Sequence, residues 1–294
     1  MWTKQLNTLS LNPRLSKSRK RVGTLALFML ALLSLLLLVF LLVGLVAVPS
    51  SPDSQLHCCK KLTFLSNHCR HQGESGSKPW VEVLSWEPRA FLYHKFLTPE
   101  ECTHLIDLAK PSMIKSTVVD SATGKSKDSR VRTSSGTFLT RGQDKIIQTI
   151  EQRIADFTFI PVDHGEGLQV LHYEVGQKYE AHYDYFHDTF NTKNGGQRIA
   201  TVLMYLSDVE AGGETVFPAS QVNSSLVPHW DELTECAKAG LSVQPRMGDA
   251  LLFWSMKPDA TLDTTSLHGG CPVVKGNKWS ATKWLHVDQY SVPS

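Results

Sequence analysis

Two residue types that bind metal ions lie close together in the segment Glu180-Ala181-His182-Tyr183-Asp184. On a β-strand, residues two apart project from the same face, so His182 and Asp184 at this spacing can share one metal ion. The chain contains 12 histidines, and a His-x-Asp pair arises easily by chance. The pair alone therefore leaves an ordinary structural role open.

A third ligand candidate, His268, precedes Gly269 and Gly270, which allow the backbone to approach a site closely. Two imidazoles and one carboxylate form the facial triad of non-haem iron(II) oxygenases, which keeps positions open for a bidentate substrate and dioxygen. Zinc hydrolases use similar ligands. The three side chains therefore predict a metal site and leave two chemistries open.

Lys278 favours the iron chemistry. It opens a predicted strand on which Lys278, Ser280, Thr282, Trp284 and His286 share one face, because alternate residues point the same way. A cation, two hydroxyls and two aromatic rings suit a dicarboxylate better than a hydrolytic water. The alternative for Lys278 alone is a solvated lysine at a strand end.

Short strand-like runs separated by turn residues must position these side chains. Glycine pairs such as Gly195-Gly196 and Gly212-Gly213 mark turns between these runs. Many short strands separated by such turns are typical of a β-sandwich or barrel. The predicted strands are 168–173, 179–186, 199–206, 250–254 and 279–287.

Two amphipathic helices are predicted ahead of the strands and are expected to cover one outer face. Thr98 supplies an N-cap, Pro99 the first position and Glu101 the third position of a helix that ends before Pro111. Residues 144–157 place four isoleucines on one face of the second helix.

Length, composition and charge limit the class of protein and its partners. The 294 residues comprise 41% hydrophobic and 20% charged residues, which excludes a fibrous or disordered protein. Residues 1–48 carry six basic and no acidic side chains, so the remaining 24 basic residues face all 28 acidic ones. A folded part without a basic excess argues against nucleic acid as a partner.

Residues 22–48 form an uncharged apolar run of 27 residues, longer than a cleavable signal needs and long enough to cross a bilayer. The basic cluster at 17–21 precedes it, which predicts a cytosolic N-terminus. We expect a cytosolic tail at 1–21, a transmembrane signal-anchor at 22–48, a lumenal stem at 49–79 and a lumenal catalytic domain at 80–294.

An oxidising lumen permits disulfides, and the chain has six cysteines. No C-x-x-C spacing occurs, which disfavours structural zinc. Our hypothesis is a bridge between Cys236 and Cys271, closing a loop of about 35 residues. Asn223 lies in an Asn-Ser-Ser glycosylation sequon, which is used only with this topology.

With these residues and their flanking segments, the chain resembles a known family, the membrane-anchored prolyl 4-hydroxylases of plants, within the iron(II) and 2-oxoglutarate dependent dioxygenases. The resemblance extends from about Trp80 to His286. The segments that carry it are 130–134, 168–173, 179–184, 212–217, 248–253, 267–272 and 278–284.

The resemblance implies a fold and a set of cofactor contacts. The fold would be mainly β with some helix: a double-stranded β-helix (jelly roll) with helices packed on one face, plus the N-terminal transmembrane helix. His182, Asp184 and His268 would bind Fe(II). Lys278 would pair with the distal carboxylate of 2-oxoglutarate, helped by the hydroxyls of Tyr173 and Thr215, and Trp284 would form a wall of the cofactor pocket.

The resemblance also implies a reaction and a substrate. Proline would be hydroxylated at C4 while 2-oxoglutarate and dioxygen yield succinate and carbon dioxide, with L-ascorbate as a further cofactor. The substrates would be secretory proline-rich polypeptides of the extensin or arabinogalactan type. The residues implied to face the peptide are Arg132, Ser134, Glu166, Tyr179, Arg198 and His286.

Three other functions stay open. A sister hydroxylase acting on lysine would carry the same iron apparatus, a non-catalytic membrane-anchored binding domain would need none of it, and a zinc hydrolase would work without oxygen. Residence in the endoplasmic reticulum membrane is expected, with the Golgi as the alternative. The sequence leaves homo- and hetero-oligomeric states open.

Overall fold

The structure, a computed structural model, describes residues 29, 32–35, 78–119, 126–128, 131–220, 222, 225, 227 and 230–291. The chain divides into two units, Met1–Arg70 and His71–Ser294. In the first unit, residues 29 and 32–35 are helical. Within the described positions, no helix combines the length and apolar character that crossing a bilayer requires. Most of the predicted anchor, the whole tail and nearly all of the stem lie outside the described residues.

A large antiparallel sheet forms one layer of the second unit. Its strand order is β1-β2-β13-β9-β16-β7-β6-β3. The strands are β1 (Trp80–Trp86), β2 (Arg89–His94), β3 (Ile114–Lys115), β6 (Ser135–Leu139), β7 (Leu168–Tyr173), β9 (Arg198–Tyr205), β13 (Ala250–Trp254) and β16 (Lys278–His286).

A smaller sheet faces it, with the strand order β12-β11-β14-β8. Two further strand pairs, β10–β15 and β4–β5, are short antiparallel ribbons. The remaining strands are β4 (Thr117–Val119), β5 (Ser126–Asp128), β8 (Tyr179–His182), β10 (Ala211–Gly212), β11 (Thr215–Phe217), β12 (Leu241–Val243), β14 (His268–Gly270) and β15 (Val273–Lys275).

Two α-helices, α1 (Pro99–Ala109) and α2 (Lys145–Thr158), lie in the described part of the second unit. The Thr98 side chain accepts from the Glu101 amide, and the Glu101 carboxylate accepts from the Thr98 amide, so the predicted capping box is present. Asp144 caps α2 by accepting from the Ile147 amide.

The strand period divides the large sheet into two faces. On β9, Ala200, Val202 and Met204 pack in one core with the buried residues of both helices, Leu105 and Ile150 among them. The opposite face packs against the small sheet through Tyr205, Leu251 and Phe253 with Phe217 and Val243. The helices therefore cover one face, and the space between the sheets is left for a site.

The mainly-β class is confirmed, and the two facing sheets are consistent with a jelly roll. Two predicted strands, 168–173 and 250–254, have the observed bounds. The prediction for 179–186 was wrong in length, because β8 ends at His182. Asp184 therefore lies just beyond the strand, and its side chain reaches the site from the connecting loop.

Candidate active site

Three side chains converge where the small sheet faces the large one. The β8–β14 register places His182 directly opposite His268. Nε2 of His182 and Nε2 of His268 each lie 3.6 Å from an oxygen of Asp184. The potential ligand atoms of the three residues lie within 4.8 Å of one another. This geometry can bind one metal ion on one side and leave the other side open.

The hydrogen bonds of the two histidines fix which nitrogen faces the metal position. Nδ1 of His182 lies 2.8 Å from the carbonyl oxygen of Glu180, and Nδ1 of His268 lies 2.9 Å from that of Ser266. A carbonyl oxygen only accepts, so each Nδ1 carries a proton, and in the neutral ring the lone pair is on Nε2. Such backbone contacts orient a metal-binding imidazole.

The charge states of this cluster suit a cation. Burial lowers the pKa of His268 to about 4, so this imidazole is neutral at physiological pH. Burial alone would raise the pKa of Asp184, but His268 and His182 hold it well below its usual range. Asp184 also accepts a 2.7 Å hydrogen bond from Thr201 Oγ1. The site thus offers a negative charge on Asp184 and a neutral nitrogen donor on His268.

Aromatic rings enclose the histidines. The Tyr179 ring stacks on His182 with centroids 3.6 Å apart, and the Phe253 ring lies 4.4 Å from that of His268. Both rings line the same cavity. They limit the directions from which water reaches the metal position.

Lys278 lies at the start of β16 with 4% of its surface exposed. Its Nζ donates a 2.7 Å hydrogen bond to the carbonyl oxygen of Gly213 and lies 5.5 Å from the centre of the Tyr173 ring. Burial lowers its pKa to about 8, against the opposing charge of Glu214. No ion pair joins this ammonium to a carboxylate in the described part of the chain. A buried cation in such surroundings favours an anionic ligand.

The metal position and Lys278 share one pocket of about 480 Å³, including its open mouth. Its lining residues are Arg132, Leu171, Tyr173, Tyr179, His182, Asp184, Thr201, Leu203, Thr215, Phe253, His268, Gly269, Gly270, Lys278, Ser280, Thr282 and Trp284.

Comparison with known proteins decides the family. Residues 168–286 match the model of the 2OG-Fe(II) oxygenase superfamily. The chain is 68% identical over 273 residues to probable prolyl 4-hydroxylase 3 of Arabidopsis thaliana, covering 91% of this chain and 94% of that protein. It is 73% identical over 219 residues to prolyl 4-hydroxylase 5 of the same plant, covering 74% and 75%. The chain belongs to the plant prolyl 4-hydroxylases of this superfamily.

Membership in this family makes the protein a 2-oxoglutarate-dependent dioxygenase, an oxidoreductase, and supports Fe(II) and 2-oxoglutarate as its cofactors. Among solved structures, the chain is similar to the 2OG complex of a viral collagen prolyl hydroxylase from Paramecium Bursaria Chlorella virus-1. The identity is 27%, the TM-score is 0.49, and the match covers 66% of this chain and 94% of that chain.

The residues that the family resemblance assigned to 2-oxoglutarate all line the pocket. Tyr173 lies opposite Lys278 in the β7–β16 register, and Thr215 lies on β11. The Thr215 hydroxyl shares a 2.8 Å hydrogen bond with that of Tyr205, which the sequence analysis did not single out. The Trp284 indole N–H is buried without a hydrogen-bond partner in the described structure.

The residues assigned to the peptide fall into two groups. Arg132 and Tyr179 line the pocket, with the guanidinium 4.8 Å from the centre of the Tyr179 ring. Ser134 does not line the pocket: it is 1% exposed, and its hydroxyl bonds that of Ser116 over 2.9 Å. This burial argues against direct contact between Ser134 and a peptide.

The other group, Glu166, Arg198 and His286, forms one polar cluster beside the pocket. The Glu166 carboxylate accepts from Arg198 Nε over 2.7 Å and lies 2.9 Å from His286 Nε2. Burial alone would raise the pKa of Glu166, but Arg198 and His286 hold it below its usual value. The Arg198 guanidinium also stacks 4.0 Å from the centre of the Trp284 ring. The cluster thus supports a wall of the pocket.

Thr201, the hydrogen-bond donor to Asp184, was missed by the sequence analysis. Alternation along β9 is the signal that could have indicated that Thr201 faces the site. Thr201, Leu203 and Tyr205 point to one face of the strand, and the apolar Ala200, Val202 and Met204 point to the other. The sequence does not show which face of β9 meets the site. Thr201 therefore has the appearance of an ordinary strand residue in the sequence alone.

A disulfide joins Cys236 and Cys271, 35 residues apart in sequence. Cys271 directly follows β14, which carries His268, so the bridge anchors this strand to the segment before β12. Cys102 is a buried free thiol. Asn223, the sequon residue, lies outside the described residues.

Proposed function

We propose that the protein hydroxylates C4 of proline residues in polypeptides. One dioxygen is consumed with one 2-oxoglutarate, and the products are 4-hydroxyproline, succinate and carbon dioxide. The observation that carries the proposal is the His182–Asp184–His268 cluster in the same pocket as the buried ammonium of Lys278. Relatives named prolyl 4-hydroxylases, one of them 68% identical, support proline as the target.

The donor set fits Fe(II). We assign Nε2 of His182, Nε2 of His268 and one Asp184 oxygen as the metal ligands, because two imidazoles and one carboxylate form the facial triad. Bound iron would supply dioxygen activation at the open positions. Thr201 would orient the carboxylate, and the backbone acceptors of the two Nδ1 protons would orient the rings.

We assign the 2-oxoglutarate contacts to Lys278, Tyr173, Thr215 and Trp284. The Lys278 ammonium would pair with the distal carboxylate, since no protein carboxylate in the described structure forms an ion pair with it. The Thr215 hydroxyl lies on β11 of the small sheet, lines the same pocket and can bond the same carboxylate. These contacts would turn the keto acid toward the metal position.

We assign the peptide to the mouth of the pocket, where Arg132 and Tyr179 are the nearest of the residues implied by the resemblance. Extended proline-rich chains of the extensin or arabinogalactan type suit an aromatic wall, because a polyproline II helix loses little further entropy on binding. L-ascorbate would serve as a further cofactor that keeps the iron reduced.

Mass spectrometry of synthetic proline-rich peptides tests the reaction. The full chain in detergent is incubated with Fe(II), 2-oxoglutarate, ascorbate and air, and fragment spectra locate each added oxygen. We expect oxygen at C4 of proline and equimolar succinate. The His268→Ala variant should lose both products, whereas His104→Gln on α1, away from the pocket, should keep them. Oxygen on lysine, or succinate formed without a hydroxylated peptide, would contradict the proposal.

We further propose a type II membrane topology, with residues 22–48 as the anchor and residues 80–294 in the lumen of the endoplasmic reticulum or Golgi. The uncharged run, the basic cluster before it and the disulfide support this arrangement. Protease treatment of sealed microsomes should leave residues 80–294 intact, and a glycosidase should shift the mass if Asn223 is modified. Digestion of the catalytic part in sealed vesicles would overturn it.

A further inference from the structure

The site face of the large sheet continues beyond the pocket. On β7, Leu171 and Tyr173 line the pocket and lie opposite Ser280 and Lys278 of β16. Gln169 lies opposite Thr282 in the same register and therefore points to the same face. Directly paired residues share a face, so the pairing of the next strands shows what this face carries outside the pocket.

Two apolar side chains lie on that extension. Phe138 of β6 is paired with Gln169, and Gly136 of β6 is paired with Leu171 and with Ile114 of β3. Phe138 is 54% exposed and Ile114 is 71% exposed. Gly136 between them has no side chain, and a Cβ there would lie 2.7 Å from Leu171 Cδ2. The pocket wall and the two exposed side chains therefore lie on one face of the sheet.

Phe138 also adjoins the pocket directly. Its ring centre lies 6.3 Å from that of Trp284, and its partner Gln169 accepts a 2.7 Å hydrogen bond from the Arg132 guanidinium. Trp284 and Arg132 both line the pocket. A chain leaving the pocket along this side would meet Phe138 first and Ile114 at the edge of the sheet.

We propose that Phe138 and Ile114 form an outer subsite that binds prolines flanking the target proline; this rests on the proposed function. Exposed apolar side chains continuous with a site favour a ligand with apolar rings, and polyproline segments dock on such surfaces. Strands lie about 4.8 Å apart, so Phe138 is about 10 Å from the Thr282 position and Ile114 about 14 Å from that of Ser280. At about 3.1 Å per residue, these distances correspond to about three to five residues of a polyproline II chain that leaves the pocket wall at β16.

Peptide length tests the subsite. Three peptides share one target proline: one short, one extended on both sides by about six residues of alternating serine and 4,4-difluoroproline, and one extended by glycine and serine. The blocked C4 of the flanking prolines in the second, proline-extended peptide leaves the central proline as its one target. We expect the proline-extended peptide to have a KM about tenfold below that of the other two. The Phe138→Ser/Ile114→Ser variant should raise the KM for the proline-extended peptide about tenfold. It should leave three quantities unchanged: kcat, the KM for 2-oxoglutarate and the KM for the short peptide.

A matched control replaces an exposed phenylalanine on the helix side of the molecule. Phe159 follows α2 and is 91% exposed, so Phe159→Ser removes the same kind of side chain away from the pocket. It should keep the advantage of the proline-extended peptide. The same melting temperature for all variants would show that each is folded. The subsite is overturned if the double variant keeps the advantage, or if the wild type has none.

Binding separates this proposal from the proposed reaction. Fluorescence anisotropy of the labelled peptides on iron-free protein needs no turnover. If the double variant weakens only the proline-extended peptide while no peptide is hydroxylated by the wild type, the subsite stands and the proposed reaction fails. If hydroxylation proceeds while neither binding nor KM depends on Phe138 and Ile114, the reaction stands and the subsite fails.

Discussion

The hydroxyl of Thr201 donates a 2.7 Å hydrogen bond to the carboxylate of Asp184. Thr201 is 1% exposed and Asp184 is 6% exposed, so no water competes for this contact. One carboxylate oxygen of Asp184 is thereby held by the large sheet. Since Asp184 follows the end of β8, this bond supplies support that the strand itself does not give.

Replacing Thr201 with valine should therefore weaken metal binding. Loss of a hydrogen bond to a metal ligand typically costs about 10- to 100-fold in affinity. We expect Thr201→Val to lower Fe(II) affinity about tenfold in a competition titration under anaerobic conditions, while Thr201→Ser keeps it. Equal affinity of Thr201→Val and the wild type would show that the bond does not position the ligand.

The affinity for 2-oxoglutarate should fall as the pH rises above 8. Burial lowers the pKa of Lys278 to about 8 in the protein, and a bound carboxylate favours the protonated form. Above that pH the ammonium must regain a proton before it can pair, which weakens binding about tenfold per pH unit. Calorimetric titration of 2-oxoglutarate between pH 7 and about 9.5 measures the slope.

The groups around Lys278 keep their charge over this range. Burial raises the pKa of both Tyr205 and Tyr173, and His268 is already neutral. Lys278→Arg should shift the loss of affinity to higher pH, since a guanidinium stays protonated. Lys278→Met should bind weakly at every pH. A Lys278→Met profile that still falls above pH 8 would assign the titration to another group.

His94 should make the stability of the protein pH-dependent. Burial opposes its charge, but Asp249 at 2.9 Å and Glu82 at 3.2 Å raise its pKa to about 9. Both ring nitrogens face carboxylates, so both must donate and the ring is charged. This stabilisation is complete below the unfolded pKa of about 6.5 and is lost as the pH rises through about 9.

Because the His94 contacts are partly exposed, we expect the free energy of unfolding to fall by about 1–2 kcal/mol between pH 6.5 and 9.5. Urea unfolding at several pH values measures this loss. His94→Gln should be less stable than the wild type at pH 6.5 and should lack this part of the pH dependence. An unchanged slope in His94→Gln would exclude the imidazole as its source.

Removing only one charge of the ion pair between Lys283 and Glu151 should lower the free energy of unfolding. Its Nζ–Oε1 distance is 2.6 Å, and each side chain is 1% exposed. Glu151→Leu leaves a buried ammonium, which typically costs about 3–5 kcal/mol of unfolding free energy, whereas removing both charges is often nearly neutral. We expect Glu151→Leu/Lys283→Met to recover most of the loss in urea unfolding. A double variant no more stable than Glu151→Leu would contradict this account.

The sequence predicts the pocket side of β16 because a strand has a simple period. Alternation alone places five residues on one face, and four of them, Lys278, Ser280, Thr282 and Trp284, line the pocket. The fifth, His286, follows a register shift after Leu285 and contacts Glu166 instead. The period does not reveal partners across layers. Lys283 has the opposite parity and pairs with Glu151 of α2, and neither was singled out.

Glu151 is a residue whose position in the sequence could have indicated a buried ion pair. It lies on the buried face of α2 with Ile147 and Ile154, where a carboxylate is expensive unless it is paired. The polar cluster of Glu166, Arg198 and His286 is a similar case. Its members come from three distant segments, so their spacing in sequence carries no information about their contacts.

We propose that His182, Asp184 and His268 hold the iron that hydroxylates proline with 2-oxoglutarate and dioxygen. Mass spectrometry of a reaction run under oxygen-18 gas tests it most directly. We predict one labelled oxygen in 4-hydroxyproline and one in succinate, in equal amounts, and neither product from Asp184→Ala. Hydroxyproline oxygen drawn from water, or full labelling by Asp184→Ala, would contradict the claim.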